Sequence, residues 1–324
     1  MILSIDLEAL VSGDAAALEA MRDAATGVGF ATLYNTALSA GQVHHVIETY
    51  RTFFKLPDAA KQACSMAGAG ANRGWGAAGT EQVDPDANPD YKQFFDSGVV
   101  LEADDPRRGM PVYAPNIWPS EPAAFEAVVA GYYEQACEVA MAVLRGVAHS
   151  IGAPRDAFDA GFETPMASLG GNYYPQRPDW AGAKDFGITT HTDYGCLTLL
   201  ATDCSPGLEV RKRGGGWIPV SAEPGTFVIN FGEMMEVWTD GLVRATPHRV
   251  VGGMKERISV PLFFNPAHDT NVAPLGSGKV VLAGEHLAAR FGETSSSQEV
   301  RASKASPANA QAAWGSSSMA SGRV

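Results

Sequence analysis

Three side chains in this sequence could share one metal ion. His191 and Asp193 stand two residues apart in HTDYGCLTLL, and His248 follows Asp193 by 55 residues in ATPHRV. Two imidazoles and a carboxylate can cover one face of an octahedral ion and leave three positions open, an arrangement suited to a non-heme Fe(II) centre. Nine residues past His248 comes Arg257, followed by Ile258 and Ser259. A permanent cation and a hydroxyl beside an open iron site suit a dicarboxylate cosubstrate.

The combination, not any single residue, carries this reading. A lone His in a strand is more often a hydrogen-bonded structural residue than a ligand. At a strand end, however, the i and i+2 side chains of H-x-D project to the same side, and a distant His on a neighbouring strand can complete the set. His44 and His45 fall in an amphipathic helical stretch, where surface or packing roles are expected, and His268 has no carboxylate at comparable spacing. Arg257 opens the apolar run RISVPLFF. An unpaired guanidinium buried there would be costly, which favours an anionic ligand over a surface ion pair. Cys196, on an apolar run, reads as a small buried hydrophobe.

The elements that must position these groups follow from periodicity. The first half reads helical around one or two short strands: a helix over Asp14 to Thr26 ending at Gly27, a strand over Gly29 to Tyr34, and a helix capped by Ser39 through Phe54, with Pro57 after it. The longest periodic stretch, about 121 to 151, puts Phe125, Val129, Tyr132, Ala136, Val139, Val143 and Val147 on one face, with Pro122 in its first turn. From Met166 the signal changes to short apolar runs between Gly, Pro and Asp. These are Ala167 to Tyr174, Cys196 to Ala201, Leu208 to Arg211, Trp217 to Val220, Thr226 to Asn230, His248 to Val251 and Arg257 to Asn265, the pattern of a sandwich or barrel. Gly214, Gly215 and Gly216 read as a hairpin turn, since a strand and not a helix follows. Beyond Phe291 the chain is Ser/Ala-rich and polar, and a disordered 292–324 tail is expected.

Bulk composition narrows the function classes. The 324 residues are 45% hydrophobic, with a formal net charge of −12. That charge opposes a non-specific grip on nucleic acid or an anionic membrane, so a small-molecule partner is expected. Cys64, Cys137, Cys196 and Cys204 show no C-x-x-C pairing, and MILSIDLEAL lacks a secretory signal pattern, so a reducing cytoplasm is expected. No apolar run approaches the roughly 20 residues of a membrane span. No P-loop, dinucleotide G-x-G-x-x-G or G-x-S-x-G elbow is present.

An ordered series of motifs then resembles one family. SIDLEAL at the start, NRGWGAAGTE at 72–81, YKQFFDSG at 91–98, NYYP at 172–175, HTDYGCLTLL at 191–200, PGTFVINFGEMMEVWTDG at 224–241, ATPHRVV at 245–251, RISVPLFFNP at 257–266 and GEHLAARF at 284–291 are similar to the 2-oxoglutarate-dependent and Fe(II)-dependent oxygenases of the isopenicillin N synthase-like branch. The resemblance implies a double-stranded β-helix, or jelly roll, over about 166–270. A helix-rich part over 1–160 would brace it within a single domain of 1–291. It implies His191, Asp193 and His248 as iron ligands, and Arg257, Ser259 and Tyr174 on the distal carboxylate of 2-oxoglutarate with Asn172 beside the cosubstrate. Phe263, Arg73, Trp75 and Phe94 become substrate-pocket candidates. Glu233 stands where the family more commonly has Asp. The implied reaction consumes O2, decarboxylates 2-oxoglutarate to succinate and CO2, and oxidises a small molecule by hydroxylation or desaturation. Two other readings stay open on sequence alone: an iron oxidase of the same fold that does not use 2-oxoglutarate, and a catalytically silent jelly-roll binding protein.

Overall fold

A computed structural model describes residues 1–67, 71–81, 88–179, 181–182, 186–274 and 276–302. In chain order the elements are β1 (Leu3–Asp6), α1 (Leu7–Ser12), α2 (Ala15–Thr26), β2 (Phe30–Tyr34), α3 (Ala40–Phe54), α4 (Asp58–Lys61), β3 (Gly74–Gly76), β4 (Gln93–Gly98) and α5 (Phe125–Ser150). The second half follows with β5 (Ser168–Tyr174), β6 (Ile188–His191), β7 (Leu197–Thr202), β8 (Leu208–Arg211), β9 (Trp217–Pro219), β10 (Phe227–Phe231), α6 (Glu233–Trp238), β11 (His248–Val250), β12 (Arg257–Phe264) and α7 (Ala283–Ala302).

The strands of the second half divide between two sheets. β5, β7, β10 and β12 lie in a large sheet of order β1-β2-β10-β7-β12-β5-β4-β3, and β6, β8, β9 and β11 form a small sheet of order β6-β11-β8-β9. This is the expected jelly roll. It differs from the sequence reading at its edges, where four strands come from the first half and not one or two. β1 and β2 extend the sheet beyond β10, and β4 and β3 extend it beyond β5. β1 and β3 have only four and three residues, too few for a period-two signal, and QFFDSG in β4 is broken by polar residues.

Local chemistry accounts for the helices. Asp14 caps α2, and Ser39 and Gln42 make a reciprocal capping box on α3. Helix α5 begins at Phe125, later than expected, and all seven residues assigned to its apolar face are buried. Helices α3 and α5 pack on the outer face of the large sheet. There Ile258, Val260, Leu262 and Phe264 of β12 meet Tyr50, Phe53 and Phe125 in the main core. A second, smaller core lies between the sheets: Phe30, Tyr174, Leu208, Val210, Val220, Val228 and Val250. The glycine segment is the β8–β9 turn, with Gly215 and Gly216 at φ 89° and 80°. α7 continues past Phe291 to Ala302, where order was expected to end; 303–324 lie outside the described residues. Ala, Glu and Gln in that stretch are good helix formers. No helix among the described residues is long and apolar enough to cross a membrane.

Gly171 shows how closely α3 approaches the sheet. A Cβ at Gly171 would stand 2.3 Å from Cδ1 of Tyr50, which is fully buried. Gly171→Ala is expected to cost about 1–3 kcal/mol of stability through overpacking, read by urea denaturation with an unchanged m-value.

Candidate metal centre and cosubstrate site

Register brings the distant histidines together. β11 runs antiparallel to β6, and His248 is paired directly with His191. Their ring centroids are 4.2 Å apart. Asp193 lies just past the end of β6, and its Oδ1 is 3.7 Å from His191 Nε2 and 3.6 Å from His248 Nε2. The three candidate ligand atoms lie within 4.8 Å of one another.

The surroundings aim each ligand atom inward. His191 Nδ1 donates to the Thr189 carbonyl at 2.8 Å, and His248 Nδ1 donates to the Thr246 carbonyl at 3.1 Å. These bonds leave both Nε2 atoms as acceptors for a metal. Asn230 Nδ2 donates to Asp193 Oδ2 at 2.7 Å, and the Thr198 hydroxyl donates to the same oxygen, which leaves Oδ1 for the metal. Burial, and then the neighbouring His248, hold the His191 imidazolium down at about 4, so the ring is neutral and able to ligate. Burial pushes the Asp193 carboxyl up, but the two imidazoles, Thr198 and Asn230 outweigh it and keep it below the ordinary carboxylate range. Phe30, on β2 of the N-terminal half, packs edge-on against His248 at 5.2 Å.

The loop bearing the ligands is clasped from outside. The Thr192 hydroxyl donates to Glu233 Oε1, and Arg290 of α7 grips both Glu233 oxygens at 2.7 Å. The Arg290 guanidinium also lies over the Tyr194 ring, which meets Phe291 edge-on, while His286 Nε2 donates to the Tyr194 carbonyl. Glu233, the position that departs from the family's usual Asp, therefore joins the metal loop to the C-terminal helix. Gly232 makes the close approach possible, since a Cβ there would stand 2.3 Å from the Gly195 carbonyl.

A second cluster forms on the inner face of the large sheet. Register pairs Arg257 with Tyr174 and Ser259 with Asn172. Arg257 is 4% exposed, its guanidinium is 5.0 Å from the Tyr174 ring centroid, and Nε and Nη1 are buried with no hydrogen-bond partner. Among the described residues no carboxylate pairs with it. A buried guanidinium left this way is costly until an anion supplied from outside meets it. Asn172 Oδ1 accepts from Lys92 Nζ at 3.2 Å, which leaves its Nδ2 hydrogens to donate elsewhere. The residues present thus fit both groups: three neutral or anionic donors for Fe(II), and an orphaned guanidinium with neighbouring hydroxyls for the carboxylate of 2-oxoglutarate.

The four pocket candidates separate. Phe94 is paired with Asn172 and faces inward, and Phe263, paired with Thr198, is the one residue of β12 that is not fully buried. Trp75 does not join them. It is paired with Phe95 on the helix side of the sheet and donates from Nε1 to Gln93 Oε1. Arg73 is also placed otherwise, with Nε, Nη1 and Nη2 donating to the carbonyls of Ala114, Asn72 and Val112. It anchors that loop and offers no free fork to a substrate. Sequence reasoning missed Thr198, Asn230, Lys92 and Arg290. Asn230 carried a readable signal, an amide inside the apolar run FVINF, of the same kind that marked Arg257.

Removing either Asp193 partner should loosen its carboxylate. Asn230→Ala and Thr198→Val are each expected to weaken Fe(II) or Mn(II) binding roughly 10- to 100-fold in a direct titration, with His44→Ala, outside the cluster, unchanged.

Comparisons with known proteins agree with this geometry. Residues 166–266 match the model of the 2OG-Fe(II) oxygenase superfamily, and residues 2–121 match the N-terminal model of the non-haem dioxygenase in morphine synthesis. The chain is 31% identical to homoarginine-6-hydroxylase 2-ODD-233 of Oryza sativa subsp. japonica, covering 83% of this chain and 87% of that protein. A full-length Neurospora crassa protein, solved in complex with alpha-KG, superposes with a TM-score of 0.80 at 26% identity, covering 90% of this chain and 96% of that one. A second structure of the same Neurospora protein, with alpha-KG and thymine, gives 0.80 at 25% identity, covering 90% and 97%. With the His-Asp-His triad assembled on a jelly roll, these matches place the chain in the 2OG-Fe(II) oxygenase superfamily, as an Fe(II)- and 2-oxoglutarate-dependent dioxygenase.

Proposed function

We propose that Arg257, Ser259 and Tyr174 hold the distal carboxylate of 2-oxoglutarate with Asn172 beside it, that His191, Asp193 and His248 hold the iron, and that the reaction hydroxylates or desaturates a small organic molecule. The observation that carries the cosubstrate assignment is the unpaired, buried Arg257 guanidinium. A carboxylate would supply two oxygens to its forked donors, and Ser259, also buried, would add a hydroxyl beside it. Bound iron supplies the activation of O2, coupled to decarboxylation of 2-oxoglutarate to succinate and CO2.

The chain's own residues bind, orient and keep the site dry. The inner core of Phe30, Leu208, Val210, Val228 and Val250 closes the barrel around Tyr174. Phe94, paired with Asn172, and Phe263, paired with Thr198, give the inner face of the large sheet two apolar rings. The rice relative is named for homoarginine and the Neurospora protein was solved with thymine, which supports a small organic substrate here. Four free cysteines support the expected reducing, cytoplasmic setting.

His191→Ala is expected to abolish iron-dependent succinate formation; survival of that activity in metal-loaded protein would sink the triad assignment. Arg257→Met removes two or more charged hydrogen bonds, about 3 kcal/mol in total, and should raise KM for 2-oxoglutarate on the order of a hundredfold. O2 uptake with and without 2-oxoglutarate is the further check, since uptake indifferent to the keto acid belongs to an oxidase and excludes the proposed roles.

A further inference from the structure

The inner face of the large sheet carries a carboxylate that no side chain or backbone group among the described residues holds. Asp96 is paired with Gly170, two residues along β4 from Phe94, and shares its inward face. The glycines beside it show the direction. A Cβ on Gly171 would meet Tyr50 in the helix layer, whereas a Cβ on Gly170 would meet Asp96 Oδ1 at 2.8 Å and Pro261 Cγ at 3.5 Å. Pro261 lies between Ser259 and Phe263 on the inner face of β12. Asp96 therefore shares a wall with the proposed cosubstrate and substrate residues, one row of side chains from Ser259, Asn172 and Phe94, one row from Phe263, and two from Arg257 and Tyr174.

Its neighbours do not neutralise it by contact. Among the described residues no hydrogen bond or ion pair reaches the Asp96 carboxylate. Arg73 lies close enough to be felt but donates to three carbonyls, and Lys92 donates to Glu81 and Asn172. Burial, and then the charge of Glu81, push the Asp96 carboxyl up to about 7 against the pull of Lys92 and Arg73. A carboxylate recessed without donors is unfavourable until a ligand supplies them.

We propose that Asp96 is a specificity-determining residue of the substrate pocket and receives a cationic nitrogen group, an ammonium or a guanidinium, on the prime substrate. The barrel then carries opposite charges in separate places. Arg257 attracts the dianionic cosubstrate, and Asp96 repels it from the substrate half while attracting a cation. The inference rests on the cosubstrate and substrate sharing this barrel, as proposed above.

The test uses full-length, Fe(II)-loaded protein with 2-oxoglutarate and a panel of amines and guanidines beside their uncharged and anionic counterparts, among them L-arginine with L-citrulline and L-lysine with L-norleucine. The readout is stimulation of succinate formation, normalised to each protein's own substrate-free rate. Stimulators are expected among the cations, and Asp96→Asn should lower their kcat/KM roughly 10- to 100-fold. Gly170→Ala, which crowds the carboxylate without removing its charge, should weaken the same compounds. Stimulation confined to neutral or anionic members, undiminished stimulation in both variants, or no stimulation by any cation would overturn the proposal. Failure of 2-oxoglutarate to bind the Mn(II)-loaded wild type in a direct titration would instead overturn the 2-oxoglutarate assignment, which keeps the two failures apart.

Discussion

The site depends first on the register of β12. This strand lies between β5 and β7, antiparallel to both, with Ile258, Val260, Leu262 and Phe264 turned into the helix layer. A slip of one residue would carry that apolar set to the inner face, and Arg257, Ser259 and Phe263 to the helix side. Burial of four large side chains therefore does more than stabilise the sheet. It fixes the face from which a guanidinium and a hydroxyl project, opposite Tyr174 and Asn172 on β5. Helices α3 and α5 contribute to binding in this indirect sense, because the hydrophobic surface they cover is what makes the alternative register expensive.

The small sheet solves a different problem with the same means. Its His191–His248 pair is a cross-strand alignment across a long sequence separation, and the apolar residues Leu208, Val210 and Val250 hold its strands against the inner core. The metal ligands then require only local hydrogen bonds to finish their orientation. Two carbonyls choose the imidazole tautomers, and one amide and one hydroxyl choose the carboxylate oxygen.

Much of this was legible before the fold was known, for reasons that can be stated. H-T-D, the second His and R-I-S are polar groups in apolar strand runs, and such groups must be partnered or functional. The strands of the second half were placed within a residue or two because turn chemistry bounds them; the main omission was the short ITTH strand that ends in His191. The β1, β3 and β4 strands were illegible because they pair at the sheet edges through segments too short or too polar to show alternation. Trp75 and Arg73 lie elsewhere than the resemblance of their segment implied, because a matching motif does not reveal which face of a strand a side chain takes, or that backbone carbonyls will occupy a guanidinium. Lys92, Asp96 and Arg290 were missed because charged residues in polar segments look like solvated surface until the fold turns them inward.

The clasp of α7 on the metal loop has a thermodynamic consequence. Thr192, Glu233 and Arg290 join the ligand-bearing segment to a helix about a hundred residues later in the chain. If docking of that helix favours the metal-competent loop, linkage requires that metal binding favour helix docking by the same free energy. Iron occupancy and the resistance of the C-terminal segment to proteolysis would then rise and fall together, and limited proteolysis at graded Mn(II) concentrations would read that coupling directly.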